Sequence, residues 1–555
     1  MNGPARPPEA TSGPPGALPA CSAGLAALAV VLWRALPALI GQPLAPLVLV
    51  PALMSTAAGG LVPCLAPRRI PAEAVPRQLG RLSLALALAL CAQPGFFFAL
   101  ARVAPLAGWF LAQTPQPRPV ALAALCVVVA APFFVGGWLV ALALADRRAD
   151  AGRAWAGVLA GGAIGALVAL VVVPAVASGG AVEIPYAGGR RESGALLARW
   201  GVSSRVLVRP LRGDEAATAL ALGGLHSGPL PEQLGLVVDD VPYANVVRHR
   251  AGDESGWEPA SLAALAHGIR RDPRVLVVGA GGGSDVLVAR ALGDGPIRAV
   301  EPDALVVRVV EEDLAGFSGR PFSLAGVEAV VADGRAFLRR DPSAYDLILA
   351  PGAPGLPRLL PSGGDRLATR EAFGELLARL APDGLLSRRF SAGERPLLRF
   401  VATARAALED AGAEAPWAHL FIAAAGDVAN MIVKRSPFTV GEVAVLEARC
   451  RGLGFEVVYS PAREGAGAIA RFVRAEDPVG FLAGLSYDAT PVGDDRPFLL
   501  RQLRPRDLFL GGSRGAGTAD RALVAVRNLL CIALVPALAA ALVPLRRRAP
   551  SDGVT

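Results

Sequence analysis

The chain has 555 residues, of which 53% are hydrophobic and only 18% charged, with a mean hydropathy of +0.46. That is too apolar for a wholly soluble protein and too long for one domain. The net charge of +8 rests on arginine, since Lys434 is the only lysine, and no basic stripe carries interleaved aromatics; coding bias explains it, and nucleic acid is not an expected partner.

Residues 1–22 are rich in Pro, Ala, Gly and Ser and read as a disordered N-terminus. A membrane helix needs about 20 mainly apolar residues. About five such spans are expected within 23–178: roughly 23–40, 44–66, 82–101, 119–145 and 154–178. A sixth is expected within 521–545, followed by a basic tail, 546–555. The lipid bilayer is therefore an expected partner, and a bacterial inner membrane the expected location. The first span is not a cleavable signal, because apolar segments continue after it. Gly157, Gly161 and Gly165 recur at four-residue spacing, which lets helices approach closely, although Ala/Gly richness alone accounts for the pattern equally well. Arg34 inside the first span is a functional or buried cation, or marks a helix placed off-centre.

Orientation meets a conflict. With five spans before the globular part, the clusters at Arg68–Arg81, Arg147–Arg153 and Arg546–Arg548 fall on the cytoplasmic side, and the globular part faces outward. A nucleoside cofactor places that part in the cytosol instead. The stretch 82–112 is long for one span and short for two, so the count is open by one, and the cofactor argument carries more weight. Five of the six cysteines lie in or beside apolar segments, leaving Cys450 alone in the globular part, so no disulfide is expected there. No Cys/His spacing suggests a metal, and the four histidines are scattered and read as structural.

The globular part divides into a small β-rich module, 180–260, and an α/β domain, 261–520. Val275–Val278 is a continuous β-branched run, as in a buried parallel strand. Gly279, Gly281, Gly282 and Gly283 follow as a tight turn, and Asp285 opens a helix. Such a turn brings backbone and helix N–H groups close to a ligand. The next strand, 297–300, ends at Glu301, 22 residues past Gly279, where an acid bonds ribose hydroxyls. A third strand ends at Asp333-Gly334, and a fourth is "YDLIL", 345–349. A helix over 369–384 stops at Pro382-Asp383-Gly384, and a fifth strand starts at Leu385. Strands and helices alternate onward, which predicts a doubly wound parallel sheet. The turn is G-x-G-x-G rather than a full dinucleotide fingerprint. Acids at successive strand ends suit a nucleoside without phosphates: Asp285, Glu301 and Asp333.

On "VLVVGAGGGSDVLVA", "AVEPD", "VVADGRAFLRR", "YDLIL" and "LATREAFGELLARLAPDGLL", the chain resembles membrane-attached spermidine synthase-like proteins, whose polyamine aminopropyltransferase domain has a Rossmann-like, class I methyltransferase-type fold. "ARWGVSSRVLV" and "LGLVVDDVPYANVV" resemble that family's N-terminal module, which caps the sheet, and "GDDRPFLL" a segment of its membrane-attached members. The resemblance implies S-adenosylmethionine or its decarboxylated form as cofactor, without a metal. It implies that Gly279, Gly281, Gly283 and Asp285 line the cofactor turn, that Glu301 meets the ribose, and that Asp333 with Gly334 lies at the adenine. The amine half departs from the family. Two acids that deprotonate and attract the polyamine there correspond to Pro351 and Pro354 here, and the module has Tyr243 and Asn245 in place of its Gln and acidic residues. A general base is typically worth 10² to 10⁴ in rate. Asp365 is the nearest candidate substitute by sequence, although a loop or helix-cap residue is the favoured reading of it. Asp494-Asp495-Arg496 reads as a local salt-bridged turn. Three functions follow as expectations: a membrane-bound aminopropyl- or methyltransferase, a non-catalytic nucleoside sensor or scaffold, and a transporter accessory. A homo-oligomer is compatible with each.

Overall fold

The structure, a computed structural model, describes residues 17–40, 45–65, 74–103, 119–146, 151–178, 186–187, 190–191, 194–201, 204–239, 241–250, 256–351, 365–504 and 507. Outside them lie the expected disordered start up to residue 16, Pro354, the sixth span and the basic tail, and also the side chains of Arg34, Pro351 and Asp365. The chain divides between Ser193 and Gly194 into two compact units.

The first unit is helical: α1 (Ala17–Ile40), α2 (Ala45–Leu65), α3 (Val75–Val103), α4 (Pro119–Asp146) and α5 (Ala151–Ser178), then a two-residue antiparallel pair, β1 (Tyr186–Ala187) and β2 (Arg190–Arg191). Helix α1 packs on α5, and α2 on α4. The glycine spacing in α5 is explained by this packing. A Cβ on Gly161 would lie 2.1 Å from the Pro19 carbonyl oxygen, one on Gly165 2.0 Å from that of Ala23, and one on Gly157 3.1 Å from the Pro19 ring. All three face α1, and at Gly161 and Gly165 the backbones meet where only hydrogen fits. Between α3 and α4, Gln93 Nε2 donates to the Val128 carbonyl at 2.7 Å. The five expected spans fall on helices. Among the described residues, however, one helix is long and apolar enough to cross a membrane, Leu125–Ala145 in α4, with a mean hydropathy of 2.4. Leu18–Leu32, Val48–Pro63 and Trp155–Ala169 are shorter apolar stretches, and α3 carries Arg77 and Arg81 near its start.

The second unit holds two sheets. The smaller is antiparallel, in the order β3 (Leu197–Trp200), β4 (Arg205–Leu211), β5 (Gln233–Val238), β6 (Val241–Val247), with α6 (Asp214–Leu220) between β4 and β5. The larger has eight strands: β7 (Val275–Val278), β8 (Ile297–Glu301), β9 (Val327–Val331), β10 (Tyr345–Pro351), β11 (Leu380–Ser391), β12 (Leu420–Ala425), β13 (Val428–Lys434) and β14 (Glu456–Tyr459). Their order is β14-β12-β13-β11-β10-β7-β8-β9. The run from β9 to β11 is parallel, but β13 lies antiparallel to β11 and β12, and β14 antiparallel to β12. The sheet is therefore mixed rather than wholly parallel. Only Gly426 and Asp427 separate β12 from β13, and two residues cannot make a parallel crossover.

A second difference concerns 369–384. The helix is α10 (Arg370–Ala378), and β11 begins at Leu380, five residues before the expected start. The pairing jumps from Tyr345↔Leu380 to Leu347↔Leu385, so Pro382-Asp383-Gly384 forms a bulge in the strand rather than a helix stop. Pro382 lacks the N–H that an unbroken ladder would need.

Helices cover both faces of the large sheet. On one, α10 and α11 (Glu394–Asp410) bury Phe373, Leu398 and Phe400. On the other, α7 (Ser284–Ala291), α8 (Ala304–Arg308) and α12 (Val440–Leu453) bury Val286, Val306 and Leu446. Val206, Leu236 and Val246 of the small sheet belong to this second core together with Val275 and Val277 of β7. Each such side chain contributes about 1.5–3 kcal/mol on burial, which fixes the small sheet against the large one.

The packing of α1 on α5 yields a paired test. Gly165→Leu should destabilise the helical unit by about 1–3 kcal/mol or more, because the new side chain enters a backbone contact. Gly162→Leu meets open space and should change stability by less than about 0.5 kcal/mol. Thermal melts of the full-length variants measure both, and equal effects would mean that the close approach is not needed.

Candidate functional site

The site forms where β7 gives way to α7. Gly279, Gly281 and Gly283 have φ of +84°, +55° and +85°, a region that side chains rarely tolerate. Strand β6 lies directly over the turn, since a Cβ on Gly282 would sit 2.0 Å from the Asn245 carbonyl oxygen. Gly279 by contrast faces open space. The turn is thus shaped for two neighbours, the small sheet on one side and a cavity of about 820 Å³ on the other.

Glu301 ends β8 and is 1% exposed. Its Oε1 accepts the Tyr243 hydroxyl at 2.7 Å and the Asp303 N–H at 3.1 Å, and its Oε2 accepts the Gly281 N–H at 2.8 Å. Burial pushes its carboxyl up, and these three donors pull against that shift. Asp303 caps α8 through the Leu305 N–H at 2.9 Å. Asp333 caps α9 (Gly334–Arg340), its Oδ1 accepting the Ala336 N–H at 2.9 Å. A Cβ on Gly334 would lie 2.5 Å from Val278 Cγ1, so the glycine lets α9 start against the end of β7.

Of the residues expected at the site, Gly279, Gly281, Asp285, Asp333 and Gly334 line the cavity. Gly283 and Glu301 do not; Gly283 packs on Pro321, and Glu301 lies behind Tyr243 and Pro302, which do line it. Asp365 opens a single 3₁₀ turn, Asp365–Leu367, whose next residue, Arg366, reaches the cavity wall. Pro351 is the last residue of β10 and pairs in register with Arg389 of β11.

Several lining residues carried no sequence signal. Arg389 Nη2 donates to Asp285 Oδ2 at 2.6 Å, with the two side chains 14% and 4% exposed. Arg388 lies over the rings of Phe373 and Phe400, each centroid 5.2 Å away, and donates to the Leu367 carbonyl. Burial lowers its guanidinium to about 10, and its Nε is without a partner among the described residues. No group of three or more potential metal ligands occurs among the described residues.

Arg335, two residues past Asp333, anchors this wall. It forms two-pronged pairs with Glu375 (3.0 and 2.7 Å) and with Asp494 (2.6 and 2.9 Å). Thr369 also donates to Asp494, at 2.7 Å. These bonds hold the carboxyls of Asp494 and Glu375 below their ordinary values, overcoming the burial that would raise them. The reading of Asp494-Asp495-Arg496 as a local turn is thereby corrected for Asp494, whose partners lie more than a hundred residues away. Asp495 and Arg496 do form a local pair, at 3.5 Å and largely exposed.

No family model matches the chain. It is similar to Polyamine aminopropyltransferase 2 of Pseudomonas aeruginosa, with 29% identity over 175 residues, 29% of this chain and 48% of that one. The chain thus spans about half the length of that curated relative. Among solved structures it is similar to a spermidine synthase in complex with the transition-state analogue AdoDATO (14% identity, 49% of this chain and 82% of that one, TM-score 0.31). It is also similar to a probable spermidine synthase from Corynebacterium glutamicum (13%, 52% and 95%, TM-score 0.34) and to a putative SAM-dependent methyltransferase from Streptococcus mutans (16%, 38% and 57%, TM-score 0.26).

Arg335→Ala would leave Asp494 without its ion-pair partner and Glu375 with Arg339 alone. It should cost the α/β unit about 3 kcal/mol, at the low end for a buried pair because Asp494 is 41% exposed. Arg496→Ala, on the exposed pair, should cost less than about 0.5 kcal/mol. Urea unfolding followed by tryptophan fluorescence compares them, and a small effect of Arg335→Ala would show that the wall stands without it.

Proposed function

We propose that the α/β unit binds an adenosyl-sulfonium nucleoside, S-adenosylmethionine or its decarboxylated form, and transfers a methyl or aminopropyl group from it, and that the helical unit holds the protein in a lipid bilayer. The observation that carries the nucleoside reading is one cavity, at the C-terminal ends of β7 to β9, that brings the open Gly279 backbone together with Asp303 and Asp333. Ligands of open α/β sheets bind at such strand ends. The two carboxylates suit ribose hydroxyls and an adenine amine, and would repel phosphates. The capping bond of Asp333 occupies one oxygen and leaves the other for the ligand.

A sulfonium cofactor supplies the activated carbon. An acceptor atom forms a bond to that carbon while the carbon–sulfur bond breaks, leaving a neutral thioether, and the acceptor's proton passes to a base or to water. The protein's part is to orient the two reactants, which can supply much of the rate. Aminopropyl transfer to a polyamine also needs a base at the amine, and Pro351 ends β10 where such an acid is expected. Methyl transfer makes no such demand at that position. The similarity to an aminopropyltransferase supports the coarser reading of a transferase using this cofactor class.

The membrane reading rests on the α4 helix and on large apolar side chains that the helical unit leaves facing outward. Met54, Val127 and Leu159 are each 69% exposed. Surfaces of this kind are costly in water and match lipid.

Calorimetric titration of the full-length protein with both cofactor forms tests the nucleoside reading. Micromolar binding of at least one is expected, and Asp333→Ser, which keeps a helix cap but removes the second oxygen, should weaken it by about tenfold. Absence of binding by either form would end the proposal. A reporter fused after Arg191 should report the cytosolic side, and carbonate washing should leave the protein in the membrane fraction.

A further inference from the structure

Resting on the nucleoside reading, we infer that the Arg389–Asp285 pair is a clamp for a zwitterionic amino-acid tail, so that the site selects S-adenosylmethionine over its decarboxylated form. The two cofactors differ in one group. The full tail ends in an ammonium and a carboxylate; the decarboxylated tail ends in an ammonium alone. The cavity wall next to the glycine turn has the complementary pattern. Asp285, in the first turn of α7, presents a carboxylate, and Arg389, at the end of β11, presents a guanidinium, 2.6 Å apart and both lining the cavity.

Their bond leaves capacity for a ligand. It uses one of the five N–H donors of a guanidinium, and a carboxylate has about four lone-pair sites. A planar fork is suited to a carboxylate, which it binds two-pronged. An ammonium has a partner in Asp285.

Charge balance at this end of the cavity points the same way. Arg388 is the neighbouring residue on β11, lines the same cavity, and is buried with an unpartnered Nε and no carboxylate paired to it among the described residues. Arg388 points to the opposite face of β11, against Phe373 and Phe400, so Arg389 is the guanidinium that meets Asp285. A decarboxylated tail would bring its ammonium to this pair with no carboxylate to meet Arg389, whose like charge repels it. The full tail is neutral overall and places its carboxylate beside Arg389. The register adds to this: Arg389 pairs with Pro351, so the end of β10 contributes no acid to offset it.

Three nucleosides separate this inference from the reading beneath it: S-adenosylmethionine, its decarboxylated form, and methylthioadenosine, which lacks the charged tail. Titrated into the full-length protein, S-adenosylmethionine should bind at least about tenfold more tightly than the decarboxylated form. Arg389→Gln should erase most of that preference while changing methylthioadenosine affinity by less than about twofold, and Arg389→Lys should restore part of it. Equal or tighter binding of the decarboxylated form by the wild type would overturn the inference with no variant needed, as would Arg389→Gln weakening all three ligands alike. If methylthioadenosine and both charged forms fail to bind the wild type, the nucleoside reading itself falls and the clamp with it.

Discussion

The buried carboxylate of Glu301 is the point on which the α/β unit depends. It is almost fully withdrawn from water and accepts three hydrogen bonds, from the glycine turn, from the start of the segment after β8, and from Tyr243 in the small sheet. A buried carboxylate without such donors would cost several kcal/mol. The donors are therefore held as firmly as the acid. Through them the turn after β7, the end of β8 and the edge of β6 share one geometry. Gly282 records the same constraint sterically, since nothing larger fits beneath the Asn245 backbone.

From this frame the charges divide by position. Around Glu301, further acids gather at the ends of β7 to β9: Asp285 tied to Arg389, and Asp303 and Asp333 each tied to a helix N-terminus. Arginines gather one strand pair away, at the end of β11, and Arg335 fastens the wall between them to Asp494 near the end of the unit.

The helical unit relies on a different device. Its helices meet through hydrogen-only contacts, Gly161 on the Pro19 carbonyl and Gly165 on that of Ala23 in one pair, Gly59 on the Phe134 carbonyl and Gly137 on that of Thr56 in the other. Close backbone packing gains van der Waals contact without burying large side chains. Some large side chains, among them Met54, Val127 and Leu159, are left on the outside, while Leu32, Leu36 and Phe133 are buried.

The strand–glycine–helix start at 275–291 was legible because it is local: β-branched run, positive-φ glycines and helix formers follow one another within twenty residues. The acids at 301 and 333 were legible for the same reason, as residues at strand ends. What stayed hidden depends on how distant segments meet. Glycine spacing in α5 did not say whether α1 or nothing lay opposite. The β12–β13 reversal follows from a two-residue connection that the alternating pattern obscured. The order of strands alone decides that β11 stands beside β10, and so places Arg389 on Asp285, 104 residues away. By itself the sequence determined most of the elements and the acids at the ends of β8 and β9, since backbone preference and hydrophobic period act over a few residues. Only the tertiary structure decided that Glu301 lies behind Tyr243 and not on the cavity wall, and that Arg389 meets Asp285 on that wall, because strand order and sheet packing bring those charges together.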